Sequence, residues 1–219
     1  MKISPHPIDA DDAQTDLLHL SLSEISALSW RALRGAGRTW GEAEEGAEAT
    51  CWLARAGLDW VASLTDLLCN PLSDMRHSAA LCPLRTGMML ADFAGLPDGP
   101  GRDAEFRIQC APEYLLPFLA RVVAQTGQGL AVEWDGARAA LAPDAAPALK
   151  GGIHATGPVT AHILPLSPSL TPPTELPRTH RASLTTLQYQ TLCTIALNFT
   201  VPTSSSSQAG AGAQGGDDD

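Results

Sequence analysis

The stretch Leu130-Ala131-Val132-Glu133-Trp134-Asp135-Gly136-Ala137-Arg138-Ala139-Ala140-Leu141 constrains the fold more than any other part of the chain. Asp-Gly at its centre suits a two-residue hairpin turn, because both turn positions need positive φ. A turn at Asp135-Gly136 pairs Trp134 with Ala137, Val132 with Ala139 and Leu130 with Leu141 on one face. The same register sets Glu133 opposite Arg138 on the other face, an opposite-charge cross-strand pair. Apolar pairing and charge pairing therefore agree on a hairpin over about 130–142.

More strands are expected around it. Phe106, Ile108 and Cys110 alternate with Arg107 and Gln109, and Val159, Ala161 and Ile163 alternate with Thr160 and His162. Helices precede them. Ser21-Leu22-Ser23-Glu24 and Thr39-Trp40-Gly41-Glu42 fit capping boxes, in which the hydroxyl caps the helix and the glutamate reaches back. Leu22, Ile25, Leu28, Ala32 and Leu33 follow helical spacing, and Gly35 and Gly37 end that helix in left-handed conformations. Trp40, Ala43, Ala47, Cys51 and Ala54 are expected to form the inner stripe of the second helix, which Gly57 ends. A third helix over about Leu58–Cys69 buries Leu58, Val61, Leu64, Leu67 and Leu68 before Pro71.

Residues 71–104 read as mixed structure. A short turn at Pro112 and a helix over about Pro117–Gln125, capped by Gly127, follow, since a proline deep inside a helix would clash with the preceding turn. Residues 165–178 carry five prolines and read as an extended crossing loop. Leu184, Leu187, Leu192, Ile195, Ala196 and Phe199 mark a last helix ending before Pro202. The expected architecture is α+β. Residues 1–19 form a flexible extension, and 20–200 form a single domain with a helical part over 20–70 and a sheet-containing part over 71–200. The sheet is antiparallel or mixed, and residues 201–219 form a Gly/Ser/Ala tail with an acidic end.

Charge narrows the function classes. With 14 basic against 24 acidic residues the net charge is −10, which disfavours nucleic acid and anionic membranes as partners. No apolar run is long enough to span a bilayer, and the opening residues lack the apolar core of a signal peptide. Five scattered cysteines with no CxxC pair read as reduced, mostly buried thiols of a cytoplasmic protein, and give no metal-ligand spacing. The histidines show no ligand spacing either, and no nucleophile elbow or phosphate-cradling loop is present. The cofactor is unknown.

Several stretches resemble an uncharacterised bacterial family known only as a domain of unknown function. They are Leu22-Ser23-Glu24-Ile25, Arg34-Gly35-Ala36-Gly37, Trp40-Gly41, Ala43-Glu44-Glu45, the Cys110–Phe118 segment and Trp134-Asp135-Gly136. Thr200-Val201-Pro202-Thr203, Ala209-Gly210-Ala211-Gly212-Ala213 and Asp217-Asp218-Asp219 continue it at the end. The chain departs from the family pattern near Val201, at Gln208 and before the final Asp. By composition residues 203–219 are a flexible linker. The resemblance implies instead a segment that docks, its glycines permitting close approach.

Two groups of candidates follow. Arg34, Glu44 and Glu45 are candidate catalytic residues, an Arg-carboxylate site at the mouth between the first two helices, against the alternative of a solvated helix face. Trp40, Gly210, Gly212, Asp217 and Asp219 are candidate binding residues. The leading functional expectation is an accessory or binding protein serving a metabolic enzyme or a small metabolite. A metabolic enzyme is the second: the opening helices resemble those of malate/lactate-type dehydrogenases outside the Rossmann group, although that family's Ser-His-Gly motif is missing after Leu58-Asp59-Trp60. A structural homo-oligomer is the third.

Overall fold

The computed structural model describes residues 16–70, 80–96, 103–167 and 179–199. The tail 201–219, most of the extension before residue 16 and the proline-rich stretch over 168–178 lie outside the described residues.

The order of elements is β1 (Leu17–Ser21), α1 (Leu22–Gly35), α2 (Trp40–Arg55), α3 (Trp60–Cys69), α4 (Pro83–Asp92) and β2 (Ala104–Ile108). A single 3-10 turn (Pro112–Tyr114) leads into α5 (Leu115–Thr126). Then come β3 (Leu130–Trp134), β4 (Ala137–Leu141), β5 (Ala148–Lys150), β6 (Val159–Pro165), β7 (Arg181–Thr185) and α6 (Thr186–Leu197). The α+β class holds, with helices first, a hairpin-bearing antiparallel sheet after them and a helix at the end.

The main sheet has the order β2-β6-β3-β4-β5, every pair antiparallel. The β3–β4 register is the expected one: Trp134 faces Ala137, Val132 faces Ala139 and Leu130 faces Leu141. Asp135 and Gly136 both take positive φ, 38° and 78°, and Arg138 pairs with Glu133 at 2.7 Å. Both capping boxes form, at Ser21/Glu24 and Thr39/Glu42.

Several expectations are corrected. The last part of the supposed extension is strand: β1 pairs antiparallel with β7 as a small second sheet. Leu184 therefore belongs to β7, and α6 begins at Thr186 with a third capping box, Thr185/Gln188. Along α6 only Leu192 is buried, while Leu187 is 73% exposed, so the helix has no continuous buried stripe. The mixed stretch contains α4, whose Pro83 sits in the first turn, where a missing N–H costs no helical bond. Pro117 is tolerated for the same reason, as the third residue of α5. Only Gly37 is left-handed at the end of α1 (φ 84°); Gly35 stays helical and serves a close approach to α6 instead. Cys82 and Cys110 are buried, Cys51 and Cys193 are half-buried and Cys69 is exposed, so burial holds for fewer thiols than expected; all five are free.

The core joins the two halves. Ile25, Leu33, Leu53 and Leu64 from the first three helices meet Leu84, Leu90, Phe118 and Leu119 from α4 and α5, and Ile108, Val132, Ala161 and Ile163 from the sheet. The alanines Ala43, Ala47 and Ala54 line the inner face of α2, which lets neighbouring helices approach closely. Trp40 leaves that stripe. It is 59% exposed, because it opens the helix at the rim of the core, although Glu42 and Ala43 of the same turn are buried.

Candidate functional site

The residues singled out in the sequence separate into two places. Arg34, near the end of α1, donates from Nη1 to the Arg38 carbonyl, and its guanidinium lies 4.9 Å over the Trp40 ring and 5.0 Å over Phe199. Trp30 completes an aromatic cluster, with centroids 5.1 Å from Trp40 and 5.3 Å from Phe199. The structure thus brings Arg34 and Trp40 together as a cation–π stack. Glu44 is exposed on the outer face of α2, with no ion pair to Arg34. Glu45 turns the other way, toward α5, and accepts from Arg121 Nη1 at 2.8 Å. Gly210, Gly212, Asp217 and Asp219 lie outside the described residues.

A denser constellation stands at the end of α3. Ser63 and Asp66, three residues apart, share a helix face. Opposite them the chain bends sharply at Ala111, which takes a left-handed φ of 42°, and enters the 3-10 turn that carries Glu113. His154 lies on the loop between β5 and β6, and its backbone is fastened on both sides. Trp134 Nε1 donates to the Ile153 carbonyl at 3.1 Å, and the Ala111 N–H donates to the Ala155 carbonyl at 2.8 Å. The loop also starts on the hairpin: Gly151 (φ 83°) packs against the Gly136 carbonyl so closely that a Cβ would collide with it.

These fastenings place one imidazole between two carboxylates. His154 Nδ1 lies 2.6 Å from Glu113 Oε1, and Nε2 lies 3.3 Å from Asp66 Oδ2. Ser63 Oγ also donates to Glu113 Oε1. Glu113 is only 1% exposed, yet its Oε2 has no hydrogen-bond partner among the described residues, and neither does Asp66 Oδ2. The Asp66–His154 contact is thus an ion-pair distance without hydrogen-bond alignment. A neutral imidazole has one N–H, and spending it on Glu113 leaves Nε2 an acceptor toward Asp66; the imidazolium form carries an N–H on both sides. The histidine side chain is 32% exposed, so solvent or a small molecule reaches it.

Behind this pair the interior is polar. Arg38, 2% exposed, donates to the Leu67 carbonyl at 3.0 Å and to Cys82 Sγ at 3.3 Å. Cys110 Sγ lies 3.7 Å from the Asp66 carbonyl. Burial pushes the Cys110 thiol up to about 12, with Cys82, Asp66 and Glu113 adding to the rise and Arg38 opposing it. Cys110 is therefore a protonated thiol near neutral pH and not a nucleophile. Tyr114 bonds Thr50 at 2.7 Å, and burial likewise raises its hydroxyl. Among the described residues no group of three or more His, Cys, Asp or Glu side chains is placed to hold a metal ion.

Sequence reasoning missed this constellation. His154 and Glu113 are 41 residues apart and Ser63 and Glu113 are 50 apart, so no motif spacing joins them. One signal was present: Glu113 is the lone charge in the apolar run Cys110–Leu119, and a charge so placed is either exposed or paired for a reason.

Residues 20–98 match the family described as protein of unknown function, DUF3726. The match spans α1 to α4, and so includes the Arg34-Gly35-Ala36-Gly37 and Trp40-Gly41 stretches, Ser63 and Asp66. Glu113, His154 and the C-terminal stretches that carried the resemblance lie beyond it. No curated protein and no solved structure matches the chain. No helix among the described residues is long and apolar enough to cross a membrane.

Proposed function

We propose that this chain is a binding protein for a small polar metabolite, an accessory component beside a metabolic enzyme, and that Asp66, Glu113 and His154 form the face that takes the ligand. One observation carries the reading: Glu113 is buried and keeps a carboxylate oxygen that no described group satisfies. A buried acceptor left empty is costly, and a ligand N–H or O–H relieves it. With Asp66 beside it, the face favours ligands that donate, such as amines and polyols. The test is thermal stabilisation by putrescine and by xylitol in the wild type, Glu113→Gln and Asp66→Asn. A rise in Tm in the wild type that both variants lose supports the site. Equal shifts in all three proteins refute it.

A second reading, a metabolic enzyme, has its own observation. Glu113 holds His154 by Nδ1 at 2.6 Å, and the ring is part-exposed, which is the arrangement of an oriented general base. Calorimetry with a nicotinamide cofactor separates the dehydrogenase alternative; an absence of heat removes it.

A further inference from the structure

The last turn of α2 forms a groove with α5. Its cavity of about 530 Å3 is lined by Trp52 and Arg55 from α2, Val123 from α5, and Leu141 and Asp144 from the segment between β4 and β5. A second concavity of about 480 Å3 shares Trp52, Arg55 and Ala120 with it. Volumes of this size, with mostly apolar walls and a few polar groups, are typical of small-molecule sites.

The groove carries one cation, Arg55, and one anion, Asp144, both exposed. No described carboxylate pairs with Arg55, no described cation pairs with Asp144, and the two are not paired with each other although they line one cavity. The neighbouring carboxylates Glu45 and Glu48 are taken by Arg121, at 2.8 and 3.3 Å. Asp144 is held at φ 56°, so its position on the cavity wall is set by the turn and not by a partner. One cation and one anion therefore flank an apolar surface, each without a counter-charge among the described residues.

We infer that this groove binds a free α-amino acid with an apolar side chain. Its carboxylate meets the Arg55 guanidinium, a planar fork suited to carboxylates, and its ammonium meets Asp144. Its side chain lies on Trp52, Val123 and Leu141. A simple fatty acid leaves Asp144 repelling it, and a simple amine leaves Arg55 repelling it. The zwitterion alone satisfies both. This inference is independent of the reading of Glu113 and His154, which lie on another face.

Calorimetric titration of the full chain with L-leucine and L-phenylalanine tests it, with 4-methylpentanoate and 3-methylbutylamine as leucine analogues lacking one charge. The expected result is binding of at least one amino acid, with each analogue about tenfold or more weaker. Arg55→Gln and Asp144→Asn each weaken amino-acid binding by about the same factor; Asn tolerates the left-handed backbone at 144. Asp66→Asn leaves it unchanged, so the two sites fail or succeed separately. No heat from either amino acid at millimolar concentration overturns the inference. So does 4-methylpentanoate binding as tightly as leucine, which makes the groove a plain anion site.

Discussion

Replacing Gly35 by alanine sets two physical effects against each other. Gly35 is the last residue of α1 and has no positive φ, so local helix propensity favours alanine there by about 1 kcal/mol. In the folded protein, however, a Cβ at this position runs into the Ile195 carbonyl oxygen of α6, with the carbonyl carbon at 2.8 Å and Ala196 Cα at 3.1 Å. Backbone cannot rotate away as a side chain can, so α6 must retreat. Its retreat uncovers Leu192, its one buried residue, together with part of Cys193 and Ile195. Burying a leucine stabilises by about 1.5–3 kcal/mol, and losing most of that outweighs the propensity gain. The net expectation for Gly35→Ala is a destabilisation of about 1–2 kcal/mol, or about 2–8 °C in Tm for a chain of this size. Urea unfolding followed by tryptophan fluorescence measures it, and Trp30, 5.3 Å from Phe199, reports the loosening of α6 directly. A Gly35→Ala protein as stable as wild type, or more stable, refutes the claim that α6 is seated on α1 through this glycine.

Gly41→Ala is the opposite case: the residue is in the first turn of α2 with nothing within 4 Å of an added Cβ, so a gain of a few tenths to about 1 kcal/mol is expected in the same urea assay. Glu42 is nearly buried; burial opposes its charge, but bonds from Arg85 and the Thr39 N–H and the charges of Arg85 and Arg38 outweigh that and hold its carboxyl below the ordinary 4.5. A depressed folded value gives stability that is present above the unfolded value and lost as pH falls through the folded one, so the stability gap between wild type and Glu42→Gln should close below about pH 4.5 in denaturation at stepped pH. Tyr114→Phe removes one buried bond but leaves Thr50 Oγ1 still donating to the Gly46 carbonyl, so a loss of about 0.5–1.5 kcal/mol is expected, measured by the urea midpoint.

What the sequence disclosed follows interaction range. The β3–β4 hairpin, the caps of α1 and α2 and the Gly127 terminus of α5 depend on residues within a few positions of one another, and all three were readable. The β1–β7 pair was not, because Leu17 meets Thr185 only through the whole intervening chain, and neither short strand alternates strongly. Trp40 misled for a related reason: it sits in phase with Ala43 and Ala47, but periodicity cannot say which member of a stripe lies at the rim of the core. At the candidate site, Arg34 and Trp40 came from one local stretch and do meet, while Glu113, Asp66 and His154 come from three separate elements and were invisible to spacing.

The two bonds that flank His154 make the loop an extension of the sheet. Trp134 belongs to the inner face of the hairpin, and its indole N–H holds Ile153; the Ala111 amide holds Ala155 from the other side. Glu113 orients the imidazole, and those two protons hold the loop that presents it to Glu113. Both are observable by hydrogen exchange, one as an indole signal and one as a backbone amide. Their exchange rates therefore time how often the loop that carries His154 opens, without any ligand and without altering Asp66, Glu113 or His154.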